Sequence, residues 1–251
     1  VTKPYYADEH VTIYHGDAFD LLHDLSGIDA VITDPPYSSG GAFRGDRAQQ
    51  TTIKYVNSDT IAYRPDFAGD NRDQRSFLAW STLWLNAARK ATQPGAVLCS
   101  FIDWRQLPTM TDAVQAGGWT WRGVAVWDKT LKSRPAAGQF TSQAEYVVWG
   151  TNGPAIRREL GRQIPGVFPC AAPESKHRDH IAQKPIDVMR WVLQVVPPRS
   201  TVLDPFMGSG ATLRAAKDLG HRVVGIDVDE RYCAVAVQRL RQEAFNFGAV
   251  V

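Results

Sequence analysis

Thr201-Val-Leu-Asp-Pro-Phe-Met-Gly-Ser-Gly210 leads into Ala211–Leu219, Gly220 and Arg222-Val-Val-Gly-Ile-Asp227. Thr201–Asp204 is a short apolar run suited to a buried strand, and Pro205 ends it. Gly208 and Gly210 bracket Ser209 in a tight loop. Ala211–Leu219 then reads as a helix capped by Gly220, and Arg222–Asp227 as a second strand. Glycines let backbone approach a ligand, a helix N-terminus offers free N–H groups, and an acid ending the next strand can accept both hydroxyls of a ribose. The third glycine of a dinucleotide fingerprint is missing, because that position is Leu213. Asp204 would also sit badly beside a pyrophosphate. The pairing suits a cationic or zwitterionic nucleoside such as S-adenosyl-L-methionine, which has a sulfonium, an amino group and a ribose but no phosphate. A tight strand–helix turn without a ligand is the alternative for the glycine pair taken alone.

Outward from this unit, strands and helices alternate. Val11–Tyr14, Asp29–Thr33, Gly95–Phe101, Trp121–Trp127 and Glu145–Trp149 read as strands. Ala18–Leu25, a stretch containing Phe77, Trp80, Trp84 and Ala87–Ala88, residues 107–116, a segment from Pro185 to about Val196, and Asp229–Phe245 read as helices. Residues 150–180 show no clear element. This alternation predicts a mostly parallel α/β sheet. At 251 residues, 44% apolar and 22% charged, the chain fits one large domain and excludes collagen-like, low-complexity and wholly disordered classes.

The strand Asp29–Thr33 ends in Asp34-Pro35-Pro36-Tyr37, which can neither continue a ladder nor start a helix cleanly. Asp34 offers a carboxylate, the Pro35 carbonyl a second acceptor held stiffly by Pro36, and Tyr37 a flat aromatic face. Two acceptors aimed at one point suit an exocyclic NH2. An aromatic face suits a base taken out of its stack. A rigid turn with Tyr37 in the core is the alternative.

Together, Asp34-Pro-Pro-Tyr37 and Leu203-Asp-Pro-Phe-Met-Gly-Ser-Gly210 resemble the motifs of the DNA amino-methyltransferases, in the order of their beta group. Gly16-Asp17, Trp127-Asp-Lys129, Lys184-Pro185 in His180-Ile-Ala-Gln-Lys-Pro, and Gly225-Ile-Asp227 agree with further segments of that family. The resemblance implies a Rossmann-like S-adenosylmethionine-dependent fold with a seven-stranded sheet, helices on both faces, and the catalytic region preceding the cofactor region. It implies a single methyltransferase domain over 1–251, with a variable loop at 38–75 and a target-recognition insert at 130–180. Catalysis falls to Asp34, Pro35, Pro36 and Tyr37. The cofactor falls to Asp17, Ala18, Asp34, Lys184, Asp204, Pro205, Phe206, Gly208, Ser209, Gly210, Thr212, Asp227 and Val228. Lys129, Lys132 and Arg134 are candidates for contacts to DNA, with solvated surface residues as the alternative. The reaction implied is methylation of the N6 amino group of a flipped-out adenine in double-stranded DNA. Cytosine N4 methylation shares the chemistry, but that branch tends to carry Ser in place of Asp34. A catalytically silent DNA-binding relative is a further alternative. The family often has two Thr after the glycine loop; here the first is Ala211. A homodimer and a bacterial, archaeal or phage origin are expected on the same ground.

Net charge is only +2, but residues 1–37 carry one Lys and seven acids, whereas 128–184 carry nine Lys/Arg and five acids. The second stretch is a candidate surface for a polyanion. Cys99, Cys170 and Cys233 are widely spaced, which predicts neither disulfides nor a metal site. Pro169-Cys170 resembles the nucleophile pair of cytosine-C5 methyltransferases. No parallel strand is predicted before it, so Cys170 is read as an incidental loop or core residue. Trp80, Trp84 and Trp191 are expected in the core. No apolar run is long enough to span a bilayer, and Val1–Asp8 lacks the layout of a signal peptide, so a cytoplasmic protein is expected.

Overall fold

The computed structural model describes residues 2–37, 72–131, 138, 140–155, 163–171 and 184–241. In chain order they form β1 (Tyr6–Ala7), β2 (Val11–His15), α1 (Ala18–Leu22), β3 (Ile28–Thr33), α2 (Gln74–Ala91), β4 (Thr92–Ile102), α3 (Leu107–Ala116), β5 (Thr120–Asp128), β6 (Ala144–Thr151), β7 (Val167–Pro169), α4 (Ile186–Leu193), β8 (Thr201–Asp204), α5 (Ala211–Asp218), β9 (Arg222–Asp227) and α6 (Glu230–Arg241). Thirty-four residues of the expected 38–75 loop (38–71), and with them Lys132, Arg134 and His180–Gln183, lie outside the described residues.

The strands form one sheet in the order β1-β2-β9-β8-β3-β4-β6-β5-β7. Seven strands were expected, and the inner seven run from β2 to β5. The short β1 and β7 extend the two edges to nine. β7 arises from the stretch that shows no element in the sequence. Three residues ending in a proline are too few to carry a period. Neighbours from β2 through β9, β8 and β3 to β4 are parallel, while β6 runs antiparallel to β4 and β5. Strands β6 and β7 also show that part of 130–180 belongs to the sheet itself.

Side chains of a strand alternate between faces, and the core divides accordingly. Ala30, Ile32, Val97, Cys99, Phe101 and Val202 pack under the face covered by α4, α5 and α6. Val31, Leu98, Ile102 and Leu203 pack under the face covered by α1, α2 and α3. Each fully buried aliphatic or aromatic side chain contributes about 1.5–3 kcal/mol. Helix α2 starts where the Asp73 side chain accepts from the Ser76 N–H at 2.8 Å. It ends with Arg89 and Lys90 in its last turn, which complements the helix dipole. Trp84 and Trp191 are buried as expected, whereas Trp80 is only half-buried.

The strand directions bring the carboxyl ends of β2, β9, β8, β3 and β4 to one end of the sheet, together with the amino end of β6. In open α/β sheets ligands bind at this end.

Candidate active site

The glycine loop sits at the centre of that end. Its Asp204, closing β8, is almost fully buried, at 1% exposure. The carboxylate accepts from the Thr33 hydroxyl at 2.7 Å, the Phe206 N–H at 3.1 Å and the Thr212 hydroxyl. Burial outweighs these bonds and pushes its pKa up to about 7, with nearby Asp34 adding to the rise. Gly208 has φ +49°, and a Cβ there would point into open space. Gly210 has φ +79°, and a Cβ there would lie 2.9 Å from the Cβ of Ala236. A side chain at either position would be strained. Ser209 is buried and accepts from Arg239 at 3.2 Å. Helix α5 begins at Gly210 without a side-chain cap. Leu213, standing where a dinucleotide fingerprint has its third glycine, packs onto Gly225 of β9, whose Cβ would lie 2.6 Å from it. The small residue needed for close helix–strand contact is thus on the strand.

One strand over, the Gly16 N–H donates to the Asp227 carbonyl at 2.9 Å, and Asp17 caps α1 by accepting from the Phe19 N–H at 2.9 Å. The Asp227 carboxylate accepts from the N–H groups of Gly208 and Asp229, both at 2.9 Å. Burial still raises its pKa to about 6. Ala18 is buried beside this point, and Val228 is exposed. Phe206 is half-buried against Trp80 and Trp84, each ring 5.2 Å from it. Asp17, Asp204 and Asp227 therefore stand around one glycine cradle, a donor and acceptor set that fits a cation carrying a ribose.

On the other side, Asp34 and Tyr37 follow β3. Lys184, brought in just ahead of α4, is 6% exposed. Its ammonium lies 2.6 Å from Asp34 Oδ2, 2.8 Å from Glu145 Oε1 and 3.5 Å from Tyr37 Oη. The Tyr37 hydroxyl donates to the same Glu145 oxygen at 3.1 Å, and Lys129 Nζ is 3.5 Å from Oε2. Burial opposes the charge on Lys184, yet Asp34 and Glu145 outweigh it and hold its pKa at about 12. Burial likewise opposes ionisation of Glu145, but Lys184 and Lys129 prevail and hold its pKa below the ordinary value. Asp34, heading the tetrapeptide, and the glycine cradle meet where β3 lies beside β8.

Residues 28–238 match the N6/N4 methyltransferase family described as DNA methylase. The chain belongs to this family. Among relatives of this DNA methylase, the type II methyltransferase M2.LlaDCHI of Lactococcus lactis subsp. cremoris is 26% identical over 97% of this chain and 94% of its own length. M2.DpnII of Streptococcus pneumoniae is 25% identical over 97% and 94%. Solved structures share the fold, two of them as follows. The M1.HpyAVI–SAM complex covers 92% of this chain and 99% of its own at 22% identity, with a TM-score of 0.66. The cytosine-N4-specific PvuII methyltransferase covers 98% and 91% at 17% identity, with a TM-score of 0.70.

Within this DNA methylase the two sequence motifs lie at the ends of neighbouring strands. Lys184, expected on the cofactor, is bonded to Asp34 and Glu145. Lys129, a candidate for DNA contact, has its ammonium turned to Glu145. Glu145 itself was missed. Its signal is an acid inside the apolar strand Ala144–Thr151, where burial demands a partner. Cys170 does follow a parallel strand, because β7 pairs in parallel with β5. That strand is at the far edge of the sheet, four places from β3. The Cys170 thiol pKa is raised by burial and by Asp187, which disfavours a thiolate nucleophile. Among the described residues no helix is long and apolar enough to cross a membrane, and no group of three or more His, Cys, Asp or Glu could hold a metal.

Proposed function

We propose that this DNA methylase transfers a methyl group from S-adenosyl-L-methionine to the N6 amino group of adenine in double-stranded DNA. The observation that carries the proposal is the carboxylate at Asp34 heading a stiff Pro-Pro turn beside the glycine cradle. A carboxylate and the Pro35 carbonyl together match the two donors of an exocyclic amine.

Asp204, Gly208, Ser209, Gly210 and Thr212 would hold the amino-acid end of the donor, and Asp17, Ala18, Asp227 and Val228 its nucleoside. When bound, the donor supplies an electrophilic methyl on a positively charged sulfur. Tyr37 stacks on the extruded base. Asp34 and the Pro35 carbonyl hold the amino group and turn the nitrogen lone pair toward the methyl. Both acceptors favour the positive charge that grows on nitrogen, so they stabilise the transition state more than the ground state. As the nitrogen–carbon bond forms, the sulfur–methyl bond would break with its electron pair left on a neutral thioether sulfur. The methylated amine then releases one proton to water. Most of the acceleration comes from this positioning.

The test is modification-sensitive long-read sequencing of DNA from a methylation-free bacterial host expressing the chain. N6-methyladenine at one short motif is the expected result. N4-methylcytosine would keep the mechanism and overturn the base assignment. Unmodified DNA, with the donor shown to bind by calorimetry, would overturn the activity.

A further inference from the structure

Among the described residues, the one buried acid at this end of the sheet with no part in the scheme above is Glu145. We infer that Glu145 is a positioning residue for methyl transfer, acting through Lys184 and Tyr37 on the two groups that meet the base. The inference rests on the reading of Asp34 as the acceptor for the target amine.

Glu145 stands on β6, two strands from Asp34, and reaches the tetrapeptide across β4. One of its oxygens takes both the Lys184 ammonium and the Tyr37 hydroxyl. The Lys184 ammonium is further enclosed by the rings of Phe101 and Tyr37, 5.2 and 5.5 Å away. An ammonium has three donors. Here they are divided among Asp34, Glu145 and the Tyr37 oxygen, which fixes all three partners relative to one another. The hydroxyl bond sets the tilt of the Tyr37 ring on which the base would stack.

The charges give a second reason. Asp34, Glu145 and Lys184 together carry one net negative charge. Without Glu145 the whole of the Lys184 charge falls on Asp34. That weakens Asp34 as an acceptor and leaves no net negative charge to meet the positive amine of the transition state. Such a group acts on the barrier, not on affinity for the ground state. Lys129, 24% exposed and at 3.5 Å, offsets Glu145 only partly, because it stands farther off than Lys184 at 2.8 Å and a Coulomb attraction weakens with distance.

The experiment compares Glu145→Gln, Lys184→Met, the double variant and Asp34→Ala in the full chain. Methyl transfer to unmethylated bacterial DNA is measured at saturation, and S-adenosyl-L-methionine affinity by calorimetry. Glutamine keeps the shape and an acceptor for Tyr37 but not the charge. Glu145→Gln should lower kcat by about tenfold or more, judged from removal of a single charge-stabilising group. KM for DNA and the donor Kd should stay within about threefold, as expected for an interaction made only in the transition state. Added to Lys184→Met, the same substitution should cost almost nothing, because coupled residues are non-additive. Wild-type kcat in Glu145→Gln, an equal loss in both backgrounds, or a matching loss of donor affinity would overturn the inference. An active Asp34→Ala would instead overturn the reading beneath it. If Glu145→Gln does not fold, the charge-balanced Glu145→Gln with Lys129→Gln takes its place, with the same kcat expected and the same results decisive.

Discussion

On the proposed reading, Asp34 is the residue at which donor binding and methyl transfer should separate most cleanly. Asp34→Asn keeps the size of the side chain and an oxygen for Lys184, but it replaces one acceptor with a donor aimed at the target amine. Transfer should fall by roughly 100-fold or more. Affinity for S-adenosyl-L-methionine should hold, since the cradle is built by Asp204, Asp227 and the glycines, and the negative charge of Asp34 works against ionisation of Asp204. Single-turnover transfer alongside calorimetry checks this; parallel loss of both would show that Asp34 serves the donor site instead. Residues of this kind were legible because their chemistry is compressed into a short motif. Glu145 was not, because its partners Tyr37 and Lys184 lie 108 and 39 positions away, and only the folded sheet brings them to it. Lys184 stood out in the sequence through Lys184-Pro185, but its partners did not, for the same reason.

Among elements, the strand–loop–helix–strand unit of β8, α5 and β9 was readable almost residue by residue. Each of its boundaries is set by a proline, a glycine or an acid. The helix α4 begins one residue after Pro185, and α2 begins earlier than its first apolar residue because Asp73 caps it. The second is a capping effect, whereas the first is a one-residue boundary shift set by the extended ψ of 140° at Pro185. Strands β1 and β7 were not readable, since two or three edge residues are held by pairing with a neighbour and not by any pattern of their own. The packing of α5 on β9 makes a prediction at this scale. A Cβ on Gly225 would lie 2.5 Å from Met207 Sδ and 2.6 Å from a Leu213 methyl. Gly225→Ala should therefore push the glycine loop and α5 off the sheet, at a cost of about 1–3 kcal/mol. Urea unfolding should show a lower midpoint with an unchanged slope, and donor affinity should fall with it. Unaltered stability would mean that Leu213 and Met207 move aside freely.

Across the whole molecule, the row of acids along one end of the sheet ties stability to function through protons. Asp204 and Asp227 have pKa values raised to about 7 and about 6 from an ordinary 3.8. The folded protein therefore binds their protons more tightly than the unfolded chain does. Their contribution to stability is complete below about pH 4 and is lost as pH rises through 6 and 7. Lys184 does not offset this near neutrality, because its raised pKa of about 12 matters only in strong alkali. Glu145 and Asp229 have lowered pKa values, so their share is lost only as pH falls below the ordinary carboxylate range. From pH 5.5 to 8 the donor-free protein should thus lose the contribution of the two raised acids. Binding a sulfonium and a ribose favours both carboxylates in their ionised form, so the donor must expel their protons in mildly acid solution. Its affinity should therefore be lower at pH 5.5 than at pH 8 by roughly one to two powers of ten. Thermal unfolding across this range should show a donor-induced rise in Tm that is small at pH 5.5 and large at pH 8. Asp204→Asn should flatten most of that dependence while leaving the donor-free Tm at pH 8 no lower than in the parent. A donor-induced rise independent of pH would mean that neither acid faces the bound cation, and the cofactor site would have to lie elsewhere along the sheet.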